Sequence, residues 1–318
     1  MFEVMSADDA GLDPLVYVIV ITWNGSDHLE KCLPSLARTD YSNYRVLLVD
    51  NGSSDGSTAR ARELSPSIEV ISLARNLGFA AGNNRGMAWA LNHGAAYVVL
   101  LNDDTEIIDA AWLSQAVDVA QSSPHVGMVG FQIVNSLIGL PDSSAPPMTT
   151  VSHIPGCALL IKASLLERVG CFDEVYVNYF EEDDLEARAQ RAGYRLVRID
   201  ARIYHRSGAT SSRHPLRTQY YSIRNSIRFS IKNRSFWRTL LRCSRLVDIC
   251  GNPWPISFIQ HDEAHRRARG KNLLVNLLVL VAAMVSNLAR LPQTLLCGLR
   301  DEQRVKLARR TTAARRTA

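Results

Sequence analysis

Apolar residues along the first half of the chain come in short, nearly unbroken runs, each followed by a polar turn and then by helical spacing. Leu15 to Thr22 reads Leu-Val-Tyr-Val-Ile-Val-Ile-Thr, a β-branched run of the kind that forms a parallel strand covered on both faces. Similar runs predict strands at Tyr44–Val49, Ile68–Leu73, Tyr97–Leu101, Val126–Val134, His153–Lys162 and Tyr194–Ile199. Between them, Leu29, Cys32, Leu33 and Leu36 recur at helical spacing. Further helices are expected near Thr58–Leu64, Met87–Leu91 and Ala110–Ser122, then a short one to Val169 and one ending near Arg191. This alternation predicts an α/β domain with an open, mostly parallel sheet and right-handed crossovers. Asn135 to Ser152, rich in Pro, Ser and Gly, reads as a flexible loop.

Polar residues gather where the predicted strands end, at Trp23-Asn24-Gly25, at Asp50 to Ser57, at Asn76 and at Asn102-Asp103-Asp104. Ligands of open α/β sheets bind beyond the carboxyl ends of the strands, so these four ends converge on one candidate site. The stretch Val98–Ile107 stands out, because two adjacent carboxylates follow a buried strand and carboxylates are costly to leave without partners. An oxygen-rich cluster there suits a hard divalent cation, which in turn suits a diphosphate. The same residues read equally as a polar turn capping the next helix, with Thr105 or Asp109 as N-cap. The loop Gly78 to Gly86 leads into a helix, so its amides face phosphate oxygens in one reading. In the other it is a glycine-rich turn with Asn residues in left-handed conformation.

Neither a Gly-x-x-x-x-Gly-Lys-Ser/Thr loop nor a Gly-x-Gly-x-x-Gly after the first strand is present, which excludes a P-loop NTPase and disfavours a dinucleotide-dependent oxidoreductase. A second acidic cluster places five acids among the six residues Glu181 to Glu186, on the first turn of a helix. The helix dipole accounts for one or two of them. The rest repel and raise one another's pKa, which is what a general base needs. A lone His205 follows the last predicted strand.

Composition adds three points. At 318 residues and 47% apolar content the chain is globular and has ample material for a core. Its six cysteines lack a Cys-x-x-Cys pair and read as buried thiols. No leading segment joins basic residues to an apolar run, so a cytosolic body is expected, with residues 1–14 an acidic lead-in. The net charge of +5 hides a division: about 21 of the 36 Lys and Arg but only about 5 of the 31 acids follow Ser212.

Taken together, the motifs resemble family 2 glycosyltransferases, especially bacterial rhamnosyltransferases. The resemblance runs from about Leu15 to Tyr221 and rests on Thr22-Trp23-Asn24-Gly25, Val49-Asp50-Asn51-Gly52-Ser53-Ser54-Asp55-Gly56-Ser57, Asn76 to Asn84, Leu101 to Thr105, Gly170 to Glu174, Glu181 to Leu185 with Arg188, and His205. It implies a GT-A fold. It also implies that Asp50 accepts from the N3–H of uracil or thymine, and that Thr22, Asn24, Asn76, Gly78, Phe79, Asn83, Asn84 and Asp103 line the nucleotide-sugar site. Where the family commonly has Asp-x-Asp, this chain has Asn102-Asp103-Asp104; Asp104 becomes the main ligand for Mn²⁺ or Mg²⁺, with His205 the second. Glu182 falls in the slot of the catalytic base, with Asp184 and Glu181 the runners-up. The implied reaction moves a sugar, dTDP-rhamnose favoured, with inversion onto a lipid-linked glycan in envelope polysaccharide synthesis. The alternatives are a UDP-hexose donor with another envelope acceptor or a polyprenyl phosphate, and a non-catalytic nucleotide-sugar-binding scaffold.

Beyond Ser212, Tyr220-Tyr221-x-x-Arg224-Asn225 resembles a segment of relatives that act on lipid-linked acceptors. With Arg228, Lys232, Arg234, Arg238, Arg242 and Arg245 it suggests helices with one basic face. Leu273 to Leu291 is apolar apart from two Asn, a Ser and an Arg, and basic residues flank it. It reads as an amphipathic helix lying on an anionic membrane, at the cytoplasmic face, rather than a span. A core helix, or packing in a homo-oligomer, is the other reading. Nucleic acid is disfavoured, since the tail is too apolar and has no recognisable binding module. The expected organisation is a lead-in over 1–14, a catalytic domain over 15–212 and a basic helical region over 213–318.

Overall fold

The computed structural model describes residues 13–138, 148–206, 214–233, 273–301 and 303. The chain divides into two compact units, one of Met1–Asn76, Gly82–Leu166 and Leu196–Tyr204, the other of Leu77–Ala81, Glu167–Arg195 and His205–Ala318. The acidic helix falls in the same unit as the C-terminal helices.

In the first unit the strands are β1 (Val16–Thr22), β2 (Tyr44–Asp50), β3 (Glu69–Ser72), β4 (Tyr97–Asn102), β5 (Thr105–Ile107), β6 (Val126–Val134), β7 (Met148–Val151), β8 (Ala158–Lys162) and β9 (Arg195–His205). They form a mixed sheet in the order β3-β2-β1-β4-β8-β6-β9-β5, with β7 paired to β9. The run β3-β2-β1-β4 is parallel, whereas β8 is antiparallel to both β4 and β6. Strand β1 is buried along its whole length, as its unbroken apolar run requires. Val16, Val18 and Val20 face α1 (Ser26–Leu36) and α4 (Trp112–Gln121), joining Leu29, Leu33, Trp112 and Leu113 in one core. The alternate residues Ile19 and Ile21 face α3 (Phe79–Asn92), which approaches so closely that a Cβ on Gly86 or Gly82 would meet them at about 2.6 and 2.5 Å.

Several expectations change here. Helix α3 starts at Phe79 rather than Met87, so Gly82 and Gly86 lie inside the helix and serve its contact with the sheet. The carboxylate pair is not followed by a helix cap: Thr105 opens β5, and Asp109 pairs with Arg202 at 2.7 Å. The loop expected over Asn135–Ser152 contains β7, while 139–147 lie outside the described residues. The last strand runs on to His205. Cys32 and Cys157 are buried, but Cys171 and Cys297 are only partly so; Cys243, Cys250 and residues 1–12 of the lead-in fall outside the described residues.

The second unit contains α6 (Glu181–Arg191), α7 (Pro215–Lys232) and α8 (Leu273–Ala289). A 61° bend leads from α8 into α9 (Leu291–Asp301). Ile223 and Ile227 of α7 pack with Leu280 and Ala283 of α8. The basic face of α7 turns inward: Arg224, Arg228 and Lys232 are all buried, although charge alone suggested a solvated face. Arg234, Arg238, Arg242 and Arg245 lie outside the described residues. Among the described residues no single helix is long and apolar enough to cross a membrane. Leu278, Val281, Val285 and Leu288 of α8 and Leu296 and Leu299 of α9 are exposed.

Candidate active site

In the first unit the carboxyl ends of the parallel strands carry the predicted polar residues. β1 ends at Thr22, β2 at Asp50 and β4 at Asn102, in register: Thr22 is paired with Asp50, and Ile21 with Asn102. The turn after β4 brings Asp103 to the end of β1. There Thr22 Oγ1 donates to Asp103 Oδ2 at 2.6 Å, and His28 Nδ1 stands 3.5 Å from Oδ1. Gly25 makes room for that carboxylate, since a Cβ on it would lie 2.0 Å from Oδ2. Burial raises the Asp103 pKa; hydrogen bonds from His28 and Thr22 oppose the rise, and Asp104 adds to it. Each Asp103 oxygen thus has a neighbour, and Asp104 stands half-buried on the same turn.

Around the other two strand ends, the turns after β1 and β2 hold each other. Asn24, with φ 53°, donates its backbone N–H to Ser53 Oγ at 2.8 Å and accepts from Ser54 N at 2.8 Å. Asp50, almost fully buried, accepts from Ser53 N at 2.9 Å and from Thr58 Oγ1 at 2.7 Å. Each oxygen keeps a second lone pair, so an imide N–H can still be accepted. Asn83 is fully buried on α3, while Asn76 and Asn84 are half-buried.

The second unit holds Gly78, Phe79 and the acidic helix. Val177, Tyr179 and Phe180 all have left-handed φ, at 68°, 71° and 72°. For side chains with a Cβ this costs on the order of 1–3 kcal/mol each, strain of the kind concentrated at functional sites. Gly78 fits against Val177 only because it lacks a Cβ, which would lie 2.5 Å from Cγ1. The Phe79 amide donates to Asn178 Oδ1 at 2.8 Å.

On the first turn of α6 the four carboxylates have different surroundings. Asp184 is fully buried and accepts from Arg188 Nε at 2.9 Å and from Lys232 Nζ at 2.9 Å. Lys232 also contacts Asp173 and Asp301, at 3.1 and 2.9 Å. Arg228 adds a 2.9 Å contact to Asp173. Burial alone would raise the Asp173 carboxyl, but Lys232 and Arg228 outweigh it and hold it at about 2. Glu181 is buried, and its Oε2 has no hydrogen-bond partner among the described residues. Burial first, and neighbouring Glu182 second, push its pKa well above the ordinary carboxylate range. Glu182 and Asp183 are half-buried. His205 ends β9, half-buried.

Two sets of participants escaped the sequence reading. His28 carried only the weak signal of sitting on the first turn of the helix after β1. Arg224 and Asn225 were singled out, but as part of a segment resembling one in relatives that act on lipid-linked acceptors and of a basic helix face.

Comparison with known proteins bears on the family and the fold. Residues 17–158 match the family model described as Glycosyl transferase family 2. An N-acetylglucosaminyl-diphospho-decaprenol L-rhamnosyltransferase of Mycobacterium tuberculosis is 28% identical, over 62% of this chain and 78% of its own length. Among solved structures, a mannosyltransferase of Pyrobaculum calidifontis in complex with GDP-Man and Mn²⁺ superposes with a TM-score of 0.52 at 19% identity, covering 89% of this chain and 78% of that one. The TarS protein of S. aureus in complex with UDP-GlcNAc gives 0.52 at 19% identity, covering 66% of this chain and 65% of that one. Both share the fold. With the strand ends and the aspartate turn inside the matched residues, the chain carries a Glycosyl transferase family 2 domain over residues 17–158 and is a glycosyltransferase.

Proposed function

We propose that the protein transfers a sugar with inversion from a nucleoside-diphosphate donor, dTDP-rhamnose favoured, to a lipid-linked glycan at the cytoplasmic face of the membrane. The observation that carries the donor side is the Asp103–Thr22–His28 arrangement. It fixes the turn after β4, on which Asp104 is the oxygen donor proposed for Mn²⁺ or Mg²⁺. His205 is kept as the second ligand on the family resemblance. When bound, the ion neutralises charge on the departing diphosphate. Asp50 takes the pyrimidine N3–H, and Thr22, Asn24, Asn76, Gly78, Phe79, Asn83, Asn84 and Asp103 shape the donor site. The mycobacterial relative supports the sugar and acceptor class, since its name specifies rhamnose transfer to a diphospho-decaprenol-linked N-acetylglucosamine.

On the acceptor side, Glu182 takes the proton of the acceptor hydroxyl. The oxygen attacks the anomeric carbon, the bond to the diphosphate breaks on the opposite face, and the nucleoside diphosphate leaves. Asp184 is a weaker candidate for the base, because Arg188 and Lys232 already hold its carboxylate in full burial. Glu181 is buried as deeply. The domain boundary is proposed to fall near residue 212 in sequence, with residues 213–318 forming the membrane-associating region. The exposed apolar residues of α8 and α9 and the basic sequence around them support a peripheral attachment to an anionic bilayer.

The reading is tested by thermal stabilisation with a panel of UDP-, GDP- and dTDP-sugars in Mn²⁺, because a ligand specific to the native state raises its Tm. Stabilisation by dTDP-rhamnose, lost in Asp104→Ala, is expected. A preference for GDP-sugars would overturn the role of Asp50, and metal-independent stabilisation would overturn that of Asp104.

A further inference from the structure

The turn before the acidic helix is built from residues that do not favour its shape, and another helix holds it. Val177, Tyr179 and Phe180 adopt φ near 70°, a region that β-branched and bulky side chains avoid. Every carbonyl along the turn is nevertheless accounted for. A guanidinium nitrogen of Arg224 donates to the carbonyls of Val175 and Tyr176, the latter at 2.9 Å. Asn225 Nδ2 lies 2.8, 2.7 and 2.8 Å from the carbonyl oxygens of Tyr176, Asn178 and Tyr179. The Val177 carbonyl accepts from Ala80 N at 3.0 Å, and that of Phe180 accepts from Asp184 N at 3.1 Å, inside the first turn of α6.

Arg224 and Asn225 are adjacent on α7, and both are buried, Asn225 completely. The Arg224 guanidinium carbon lies 4.9 Å from the Tyr221 ring centroid and 5.9 Å from that of Tyr220. The Tyr220-Tyr221-x-x-Arg224-Asn225 segment is therefore an inward clamp, its aromatic pair orienting the guanidinium. The same turn receives the Phe79 amide at Asn178 Oδ1 and the bare Cα of Gly78 at Val177. From the other side, Asn287 Nδ2 of α8 donates to the Arg224 carbonyl at 2.9 Å.

We propose that Arg224 and Asn225 are positioning residues for the transfer reaction: by holding the left-handed Val175–Phe180 turn, they set the start of α6 and with it the aim of the Glu181–Glu182 carboxylates. The proposal rests on the reading of Glu182 as base. It gives the segment a role in rate rather than in lipid attachment. Asn225 suits this role because its amide reaches several converging carbonyls, and an oxygen in place of the nitrogen would repel them all.

The test uses the full chain, with dTDP-rhamnose as donor and an N-acetylglucosaminyl-diphospho-lipid as acceptor, and Tm recorded for every variant. Asn225→Asp, and Asn225→Ser as the milder change, are expected to lower kcat on the order of 100-fold, the size of loss that misaligned reacting groups give. Donor KM is expected to change much less. Arg224→Lys, which keeps the charge but not the fork, should fall between these and wild type. Ile227→Ala, on the same helix but against α8, serves as a stability control with retained kcat.

In the Asn225→Ser, Glu182→Gln double variant the losses should not multiply, since both act on one group. Folded Asn225 variants with turnover within about twofold of wild type would overturn the proposal. So would a loss matched by Ile227→Ala at equal Tm, or losses that multiply with Glu182→Gln. Near-normal turnover in Glu182→Gln alone would overturn the base assignment but not the clamp, which the Asn225 variants then report through the other acids.

Discussion

Two clusters of adjacent carboxylates, one after β4 and one at the start of α6, are much alike in sequence and are treated in opposite ways by the fold. Asp103 is held by neutral or weakly basic donors, Thr22 and His28, at the open end of a parallel sheet. Asp184 is held by two full cations, Arg188 and Lys232, with no exposure to solvent. The first arrangement restrains one carboxylate beside Asp104, the proposed metal ligand. The second binds Asp184 into a network with Asp173, Arg228 and Asp301. In each cluster the fold binds one member tightly, and the roles proposed above fall to its neighbours Asp104 and Glu182.

The largest expected effect separates anchor from chemistry in the acidic helix. Glu182→Gln should lower turnover by roughly 10²–10⁴-fold, the usual worth of a general base. Stability and donor binding should stay close to wild type, checked by steady-state kinetics and by nucleotide-sugar titration. The anchor is expected to behave in the reverse sense. Lys232→Ala leaves Asp184 and Asp173 short of a buried cation and should cost about 3–5 kcal/mol of stability, read by urea unfolding. If both substitutions affected rate and stability alike, the division of labour would fail.

Next comes acid sensitivity. Asp173 is held at about 2 in the folded chain, below the ordinary carboxyl value of about 3.9. Its stabilising contribution is present above that ordinary value and is lost as pH falls through about 2. Roughly 2 kcal/mol should therefore disappear between about pH 4 and pH 2, measured as the fall in unfolding free energy. Asp173→Asn should flatten that fall. In the first cluster, Thr22→Val keeps shape but removes the donor to Asp103, and should cost about 2 kcal/mol as the loss of a hydrogen bond to a charged group. Weaker stabilisation by nucleotide sugars should accompany it.

The smallest effect should have the opposite sign. Glu181 has a raised pKa, so the folded chain keeps its proton to higher pH than the unfolded chain, and stability falls as pH rises toward the folded value. Glu181→Gln removes that penalty. It should raise Tm modestly at pH 7 and leave it unchanged near pH 4, by thermal melts at the two pH values.

Much of this was legible in the sequence. The parallel pairing of β1 with β4 follows from unbroken apolar runs, which a strand covered on both faces tolerates, while β3 at the sheet edge is only half-buried. The polar residues at Thr22, Asp50 and Asn102 fall at the strand ends, as their placement after those runs implied. The glycines at 82 and 86 misled, because Gly beside Asn signals a turn locally, whereas their lack of a Cβ is needed for helix-to-sheet contact. β5 was too short to show a period, and β7 sits in a stretch whose Pro, Ser and Gly content masked it.

The chain's order of runs and turns thus determined the fold class, the placing of polar residues at the strand ends and the likeness to family 2 glycosyltransferases. What only the tertiary structure decided is which charges are anchors. Arg224, Arg228 and Lys232 lie on a helix whose composition alone suggests a solvated face, yet they are buried against carbonyls and carboxylates distant in sequence. The physical reason is that hydrophobic periodicity reports on a residue's own element. The worth of a buried charge depends on partners that other elements bring to it, and those exist only once the chain has folded.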